Sequence, residues 1–163
     1  MNHSRSGLFV GFVAIALVVA GGIAHGMSHE GPSAEKLWKK IEGYESWNAY
    51  PGLPDGFYEG TRPHGAQLKT YGNEKVAENP DNPPAGAIII KENYTPDRKL
   101  VAITVMKKIE GYNPDADDWF WAKYQPDGEV AMKDGKALAG KVGSCIGCHA
   151  SAKDDDYIYA NDE

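Results

Sequence analysis

Residues 87–109 read AIIIKENYTPDRKLVAITVMKKI, and this stretch decides the fold class. It contains two segments rich in β-branched residues, AIIIKENY and KLVAITVMKKI, which are separated by the turn residues TPDR. Two such segments joined by a short polar turn are typical of an antiparallel hairpin. Alternation in the first segment places Ala87, Ile89 and Lys91 on one face, so a lysine shares that face with apolar residues.

Other segments add strands and one helix around this hairpin. Ser33 followed by AEKLWKKIEGY predicts a capped helix that stops at Gly43. Residues 66–71 predict a short strand, NEKVAEN a helical turn, and WFWAKY, QPDG and EVAM a second hairpin. We therefore expect a mainly β fold of the α+β class, an antiparallel sheet with a front helix and a cysteine motif at the back.

An apolar run near the start of the chain predicts export. It extends from Leu8 to Ala24, follows Arg5, and has no acidic residue before it. We expect residues 1–26 to be a signal peptide and residues 27–163 to form a single domain. The alternative is an uncleaved membrane anchor through residues 8–24, although this run is slightly short for a full span. Either way, the domain is expected to be periplasmic or otherwise exported.

The chain is acidic. Its formal net charge is −6 at pH 7, and removing residues 1–26, in which Arg5 is the only charged side chain, leaves −7. No basic cluster in the sequence could neutralise phosphates, so the composition excludes a nucleic-acid binder. The aspartate run at residues 154–156 predicts a solvated face or a docking surface for a basic redox partner.

The sequence CIGCH at residues 145–149 carries the chemistry. Two cysteines separated by two residues and followed by a histidine form the attachment signature of c-type haem. Each thiol adds to one haem vinyl group, and the histidine is then placed as the proximal iron ligand. We therefore predict one covalently attached haem c, with Cys145 and Cys148 binding the cofactor and His149 binding its iron.

Three other interpretations of the motif are weaker. A structural zinc site needs four ligands, and His64 is the one further histidine in the part expected to fold. A thioredoxin-like cysteine pair lies near a βαβ unit early in a chain, whereas only 14 residues follow His149. A plain disulfide is compatible with export but gives the histidine no role.

Six motifs occur in an order typical of one family. They are W-x-x-x-P-G (47–52), PHG (63–65), P-x-G-x-I-I-I-K-E (84–92), ITVMKK (103–108), WFWAKY (119–124), and C-x-x-C-H followed by DY (145–157). With these motifs the chain resembles the cytochrome P-460 / cytochrome c′-beta family over nearly all of its mature length. The resemblance implies a mainly antiparallel β fold, a homodimer, and a five-coordinate haem at one edge.

The family divides by the use of one lysine. Cytochromes P-460 carry an extra bond from this lysine to the porphyrin and oxidise hydroxylamine with nitric oxide as an intermediate. The c′-beta members lack that bond, have a hydrophobic distal pocket, and bind nitric oxide or carbon monoxide. The lysine that matches by motif is Lys91. The resemblance therefore implies either oxidation of hydroxylamine or a related small nitrogen oxide, or gas binding without turnover.

Candidates for the distal side of the haem lie in the aromatic loop of residues 47–65. Hydroxylamine oxidation needs a proton acceptor near the substrate, and Glu59 is a candidate together with Asp55. Phe57 and Tyr58 are candidates to cap the distal face, where an apolar cap would favour diatomic gases. The alternatives are a solvated turn for the carboxylates and loop packing for the two aromatic rings.

A third function remains open at this point, which is plain electron transfer. It would require His64 or Met106 as a sixth iron ligand. His64 has two other interpretations, as a distal hydrogen-bond donor or as a turn residue between a proline and a glycine. In the catalytic case, the electrons are expected to pass to another exported redox protein.

Overall fold

The computed structural model describes residues 32–159 together with Met1. The predicted signal peptide or anchor, including the apolar run at residues 8–24, lies outside the described residues. Within the described part of the chain, no helix is both long and apolar enough to cross a membrane.

A six-stranded antiparallel sheet forms the centre of the fold, which confirms the predicted mainly β class. Its strands in spatial order are β1 (Tyr58–Glu59), β2 (Gln67–Gly72), β3 (Ile88–Tyr94), β4 (Leu100–Lys108), β5 (Trp119–Tyr124) and β8 (Ala139–Gly140). A separate hairpin pairs β6 (Met132–Lys133) with β7 (Lys136–Ala137). The helices are α1 (Ala34–Lys40), α2 (Glu74–Glu78) and α3 (Gly143–His149), with 3₁₀ turns at Tyr44–Ser46, Pro114–Ala116 and Ala150–Asp155.

The predicted central hairpin is confirmed as β3 and β4. Lys91 lies opposite Thr104, and the register shifts once, between Asn93 and Tyr94. The second predicted hairpin is only partly right. Its returning segment touches β5 through a single bridge, Tyr124 to Val130, and then leaves the sheet.

The reason for this difference is a tight turn that the prediction did not use. Asp134 and Gly135 both have positive φ, at 49° and 74°. A two-residue turn of this kind closes a local hairpin, and here it joins β6 to β7. The chain returns to the sheet only at β8, where Gly140 pairs with Trp121.

Each face of the sheet packs against a different part of the chain. Helix α1, which confirms the predicted front helix, begins at the Ser33 N-cap and covers one face. The buried apolar cluster on that face contains Leu37, Ile41, Ile88, Ile90, Ile103, Val105 and Phe120. The cluster on the opposite face contains Ile89, Met106, Trp119 and Trp121 together with the C-terminal residues Tyr157 and Ile158.

A buried carboxylate organises the α1 face. Glu92 is 5% exposed and accepts hydrogen bonds from the hydroxyls of Tyr44, Tyr71 and Tyr94, at 2.8, 3.1 and 2.7 Å. Burial, reinforced by the neighbouring carboxylate, raises the pKa of all three tyrosines well above the usual range. These hydrogen bonds connect β2 and β3 to the turn that follows α1.

We expect Glu92→Gln to lower the free energy of unfolding by about 1.5–3 kcal/mol, because hydrogen bonds to a charged acceptor become bonds to a neutral amide. Urea unfolding of the haem-loaded protein measures this change. Glu42→Gln is the matched control because Glu42 is exposed, and its effect should stay within about 0.5 kcal/mol. Equal unfolding curves for the two variants would contradict a role for the Glu92 carboxylate.

We also expect stability to fall as pH rises above about 10. Tyr44 has a raised pKa in the folded state, so the unfolded state loses its phenol proton first and is favoured by alkali. Below that pH both states keep the proton and the contribution is complete. Urea midpoints measured at pH 8 and pH 11 test this, and Tyr44→Phe should reduce the difference between them. A difference that is unchanged in the variant would assign the alkaline transition to other groups.

Candidate functional site

A cavity lies on the sheet face opposite α1. It has a volume of about 260 Å³ and opens to solvent at one side. Strands β3, β4 and β5 form one wall, through residues that include Ile89, Met106 and Trp121. The C-terminal segment and part of the loop between α1 and β2 complete the lining. The alternation predicted for the first hairpin strand is confirmed, because Ile89 and Lys91 both line this cavity.

Helix α3 brings the cysteine motif to the cavity. Cys145, Cys148 and His149 all line it. Cys145 is half-buried, and burial raises the pKa of its thiol, whereas Cys148 is exposed. Residues three positions apart lie on the same side of a helix, so both thiols can reach one ligand.

The orientation of His149 follows from one hydrogen bond. Its Nδ1 lies 2.7 Å from the carbonyl oxygen of Tyr157. A carbonyl only accepts hydrogen bonds, so Nδ1 carries the proton and Nε2 is left with a free lone pair. Burial lowers the pKa of His149, which favours the neutral ring that a metal requires.

The C-terminal segment that holds this carbonyl is anchored to the sheet. The Lys108 amine lies 2.7 Å from both carboxylate oxygens of Asp156, and Trp119 Nε1 donates to the Asp156 carbonyl at 2.9 Å. The prediction of a solvated aspartate run is therefore wrong for Asp156, which is buried because it pairs with a lysine of β4. Asp154 and Asp155 are exposed, as predicted.

Lys91 lines the same cavity from β3. Burial lowers the pKa of its amine to about 8, because the charged form is poorly solvated there. The neutral amine, which is the nucleophilic form, is therefore much more populated at neutral pH than in an exposed lysine. Lys123 and Lys133 also line the cavity, and their ammonium groups could pair with the carboxylates of a haem.

Three predicted site residues lie outside the cavity lining that the described residues form. Phe57 packs on Tyr94 with ring centroids 4.9 Å apart. The Tyr58 hydroxyl lies 2.5 Å from Oγ1 of Thr70, which lines the cavity, so Tyr58 contacts a lining residue without lining the cavity itself. Glu59 is exposed on β1. The roles suggested for these three side chains in haem binding and proton transfer stay predictions.

Two polar residues at the cavity were not predicted from the sequence to contact the cofactor. Asn93 lines it from β3 and accepts from His64 Nδ1 at 2.9 Å through its Oδ1 atom. The strand alternation that places Lys91 in the cavity also places Asn93 there, so the sequence pattern could have identified Asn93 as a cavity residue. Trp121 both belongs to the buried core and lines the cavity.

His64, from the loop before β2, also lines the cavity. Its ring centroid lies 6.2 Å from that of His149, with an angle of 87° between the planes. Burial lowers the pKa of His64 to about 4. The loop and the C-terminal helix thus bring two neutral imidazole rings to one cavity.

The residues present fit a haem attached through thioethers. Two thiols and an imidazole with a free Nε2 converge on the cavity. Trp121 Nε1 is buried and, within the described part of the chain, is the one such side-chain atom without a hydrogen-bond partner. It can donate to a polar group held in the cavity. Cys145, Cys148 and His149 would hold the haem, as predicted.

Comparison with known proteins agrees with this site. No curated protein matches the chain. The family model described as Cytochrome P460 matches residues 41–160, a span that covers most of the chain and contains both cysteines, His149 and Lys91. This family implies haem c binding. The chain therefore belongs to the cytochrome P460 family and is a c-type haem protein.

Proposed function

We propose that this chain is an exported haem c protein with an open distal site, which oxidises hydroxylamine or a related small nitrogen oxide. It carries one haem, bound through Cys145 and Cys148 with His149 on the iron. When bound, the haem supplies an iron that exchanges electrons and binds small nitrogen compounds. The proposal includes a homodimer in the periplasm, with electrons passing to another exported redox protein.

The observation that supports this function is the placement of Lys91. Its amine faces the haem cavity and has a pKa of about 8, so a neutral nucleophile is available beside the cofactor. To form this cross-link, the Lys91 amine would lose one N–H bond and the porphyrin ring would lose one C–H bond. A new N–C bond would then join them. Two electrons and two protons would pass to a peroxide, which is reduced to water. This bond distinguishes the catalytic members of the resembled family from the gas binders.

The proposed reaction also releases protons, which must leave the cavity. Oxidation of hydroxylamine to nitric oxide releases three electrons and three protons, so the cavity needs a proton route. Glu59, the predicted acceptor, is exposed on β1 and would act through water.

We expect the reduced, haem-loaded protein to show a strongly red-shifted Soret band, because attachment of Lys91 distorts the macrocycle. Lys91→Arg should restore an ordinary Soret band, since a guanidinium stays protonated and cannot form the bond. Absorption spectra of the two proteins measure this. Lys39→Arg changes an exposed lysine of α1 that does not line the cavity and should keep the red shift. An ordinary band in the unmodified protein would contradict the cross-link and favour gas binding.

We expect hydroxylamine to reduce an added acceptor dye in the presence of the haem-loaded protein. Lys91→Arg should lower that rate by about 100-fold, the size of effect expected when reacting groups lose their alignment. Stopped-flow measurement of dye reduction gives the rate, with Lys39→Arg again as the control. Equal rates for all three proteins would show that oxidation does not depend on Lys91.

A second function, plain electron transfer, is favoured by the position of His64. It lies at the same cavity as His149, with the ring centroids 6.2 Å apart. In that case the reduced protein would not bind carbon monoxide and hydroxylamine would not be turned over. The protein would then exchange electrons only with other redox proteins.

A further inference from the structure

We propose that Tyr159 is a positioning residue that locks His149 in its iron-binding orientation. It is the last residue of a C-terminal strap, residues 156–159, which folds back against the helix α3 that carries the cysteine motif. The inference rests on haem c bound as proposed, and it deepens the proposed function by naming what holds the protein ligand of the iron. It concerns the side of the haem that His149 occupies and leaves the opposite side open.

The strap begins with an unusual backbone turn. Asp156 and Tyr157 both have positive φ, at 56° and 61°, in a region that residues other than glycine rarely adopt. Such a conformation persists only where the surrounding contacts fix it, and strain of this kind is concentrated at functional sites. The turn reverses the chain, so that the Tyr157 carbonyl oxygen meets His149 Nδ1 at 2.7 Å.

Several contacts hold this turn in its strained form. Asp156 is anchored to β4 by its salt bridge. The Tyr157 hydroxyl donates to the Asp115 carbonyl at 3.0 Å, and the Tyr157 N–H donates to the Ala152 carbonyl at 2.8 Å. The acceptor of the His149 hydrogen bond is therefore fixed to the sheet and to the loop between β4 and β5.

Tyr159 joins the strap to the motif helix. Its ring packs edge-to-face on the His149 imidazole, with centroids 5.3 Å apart and an angle of 70° between the planes. Its hydroxyl donates to the Cys148 carbonyl at 3.0 Å and contacts the Ser151 hydroxyl, which lies 2.9 Å from the same carbonyl. One side chain thus contacts both the proposed iron ligand and the backbone of the residue before it.

The imidazole needs this second support. A ring held only by a hydrogen bond at Nδ1 can still rotate about the direction of that bond, which would move Nε2 away from the iron. Among the aromatic rings that contact His149 in the described part of the chain, Tyr159 is the nearest, since His64 and Trp121 lie 6.2 and 6.5 Å away between centroids. Partners of this kind orient a metal-binding histidine and set its basicity, so Tyr159 acts on the iron through His149.

Resonance Raman spectra of the reduced, haem-loaded protein test the assignment through the iron–histidine stretching band. Tyr159→Leu removes the ring and the hydroxyl. We expect its band to broaden and move to lower frequency, because a looser hydrogen bond at Nδ1 makes His149 a less basic ligand. Tyr159→Phe removes only the hydroxyl and should give a smaller shift in the same direction. Tyr112→Leu is the matched control, because Tyr112 is also half-buried but packs on Phe120 on the α1 face, and its band should match that of the unmodified protein.

Three results would overturn the proposal. An unchanged band in Tyr159→Leu would show that His149 is oriented without Tyr159. Equal shifts in Tyr159→Leu and Tyr112→Leu would assign the effect to a general loosening of the fold. A haem-loaded protein without an iron–histidine band would remove His149 from the iron and the positioning role with it. The spectra do not involve hydroxylamine, so the two proposals can fail separately. A Tyr159-dependent band without hydroxylamine oxidation supports the positioning role and overturns the catalytic function, whereas oxidation with an unchanged band in Tyr159→Leu overturns only the positioning role.

Discussion

The pairing register of β3 is the constraint on which both faces of the protein depend. Side chains alternate along this strand, so Lys91 and Asn93 face the haem cavity while Glu92 faces the tyrosines of the other side. A shift of one residue would exchange the two sets. It would place a carboxylate in the cavity and a lysine among phenol hydroxyls. The Glu92 and Asn93 hydrogen bonds therefore hold the same register from opposite faces.

The sheet also positions the two histidines, although neither belongs to a strand. The hydrogen bond to the Tyr157 carbonyl sets the orientation of His149. Asp156, the residue before Tyr157, forms a salt bridge with Lys108 of β4. His64 takes its orientation from Asn93 of β3. Rigid strands thus support imidazole rings that come from a loop and a terminal helix. At His149, support of this kind fixes the tautomer of a ring that is placed to bind a metal.

The fold followed from the sequence wherever a local pattern was sufficient. Strand alternation and composition predicted β3 and β4, and the Ser33 cap predicted α1. The second hairpin was predicted incompletely because this segment contains two possible turns, each of which could close a hairpin. The Asp134–Gly135 turn closed its own hairpin, so β8 pairs with β5 in place of the adjoining segment. Which segment pairs with β5 depends on the packing of the whole sheet, and no single segment of the sequence encodes that packing.

The sequence by itself determined the cofactor chemistry, because the two cysteines and His149 lie within a few residues of one another and their spacing is local. It also indicated that Lys91 lies on an apolar face. Only the tertiary structure decided that His64 shares a cavity with His149 and that Asn93 sets its tautomer. It likewise placed Phe57 outside that cavity. The physical reason is that distances between segments remote in sequence depend on how loops pack against the sheet, which residue periodicity does not specify.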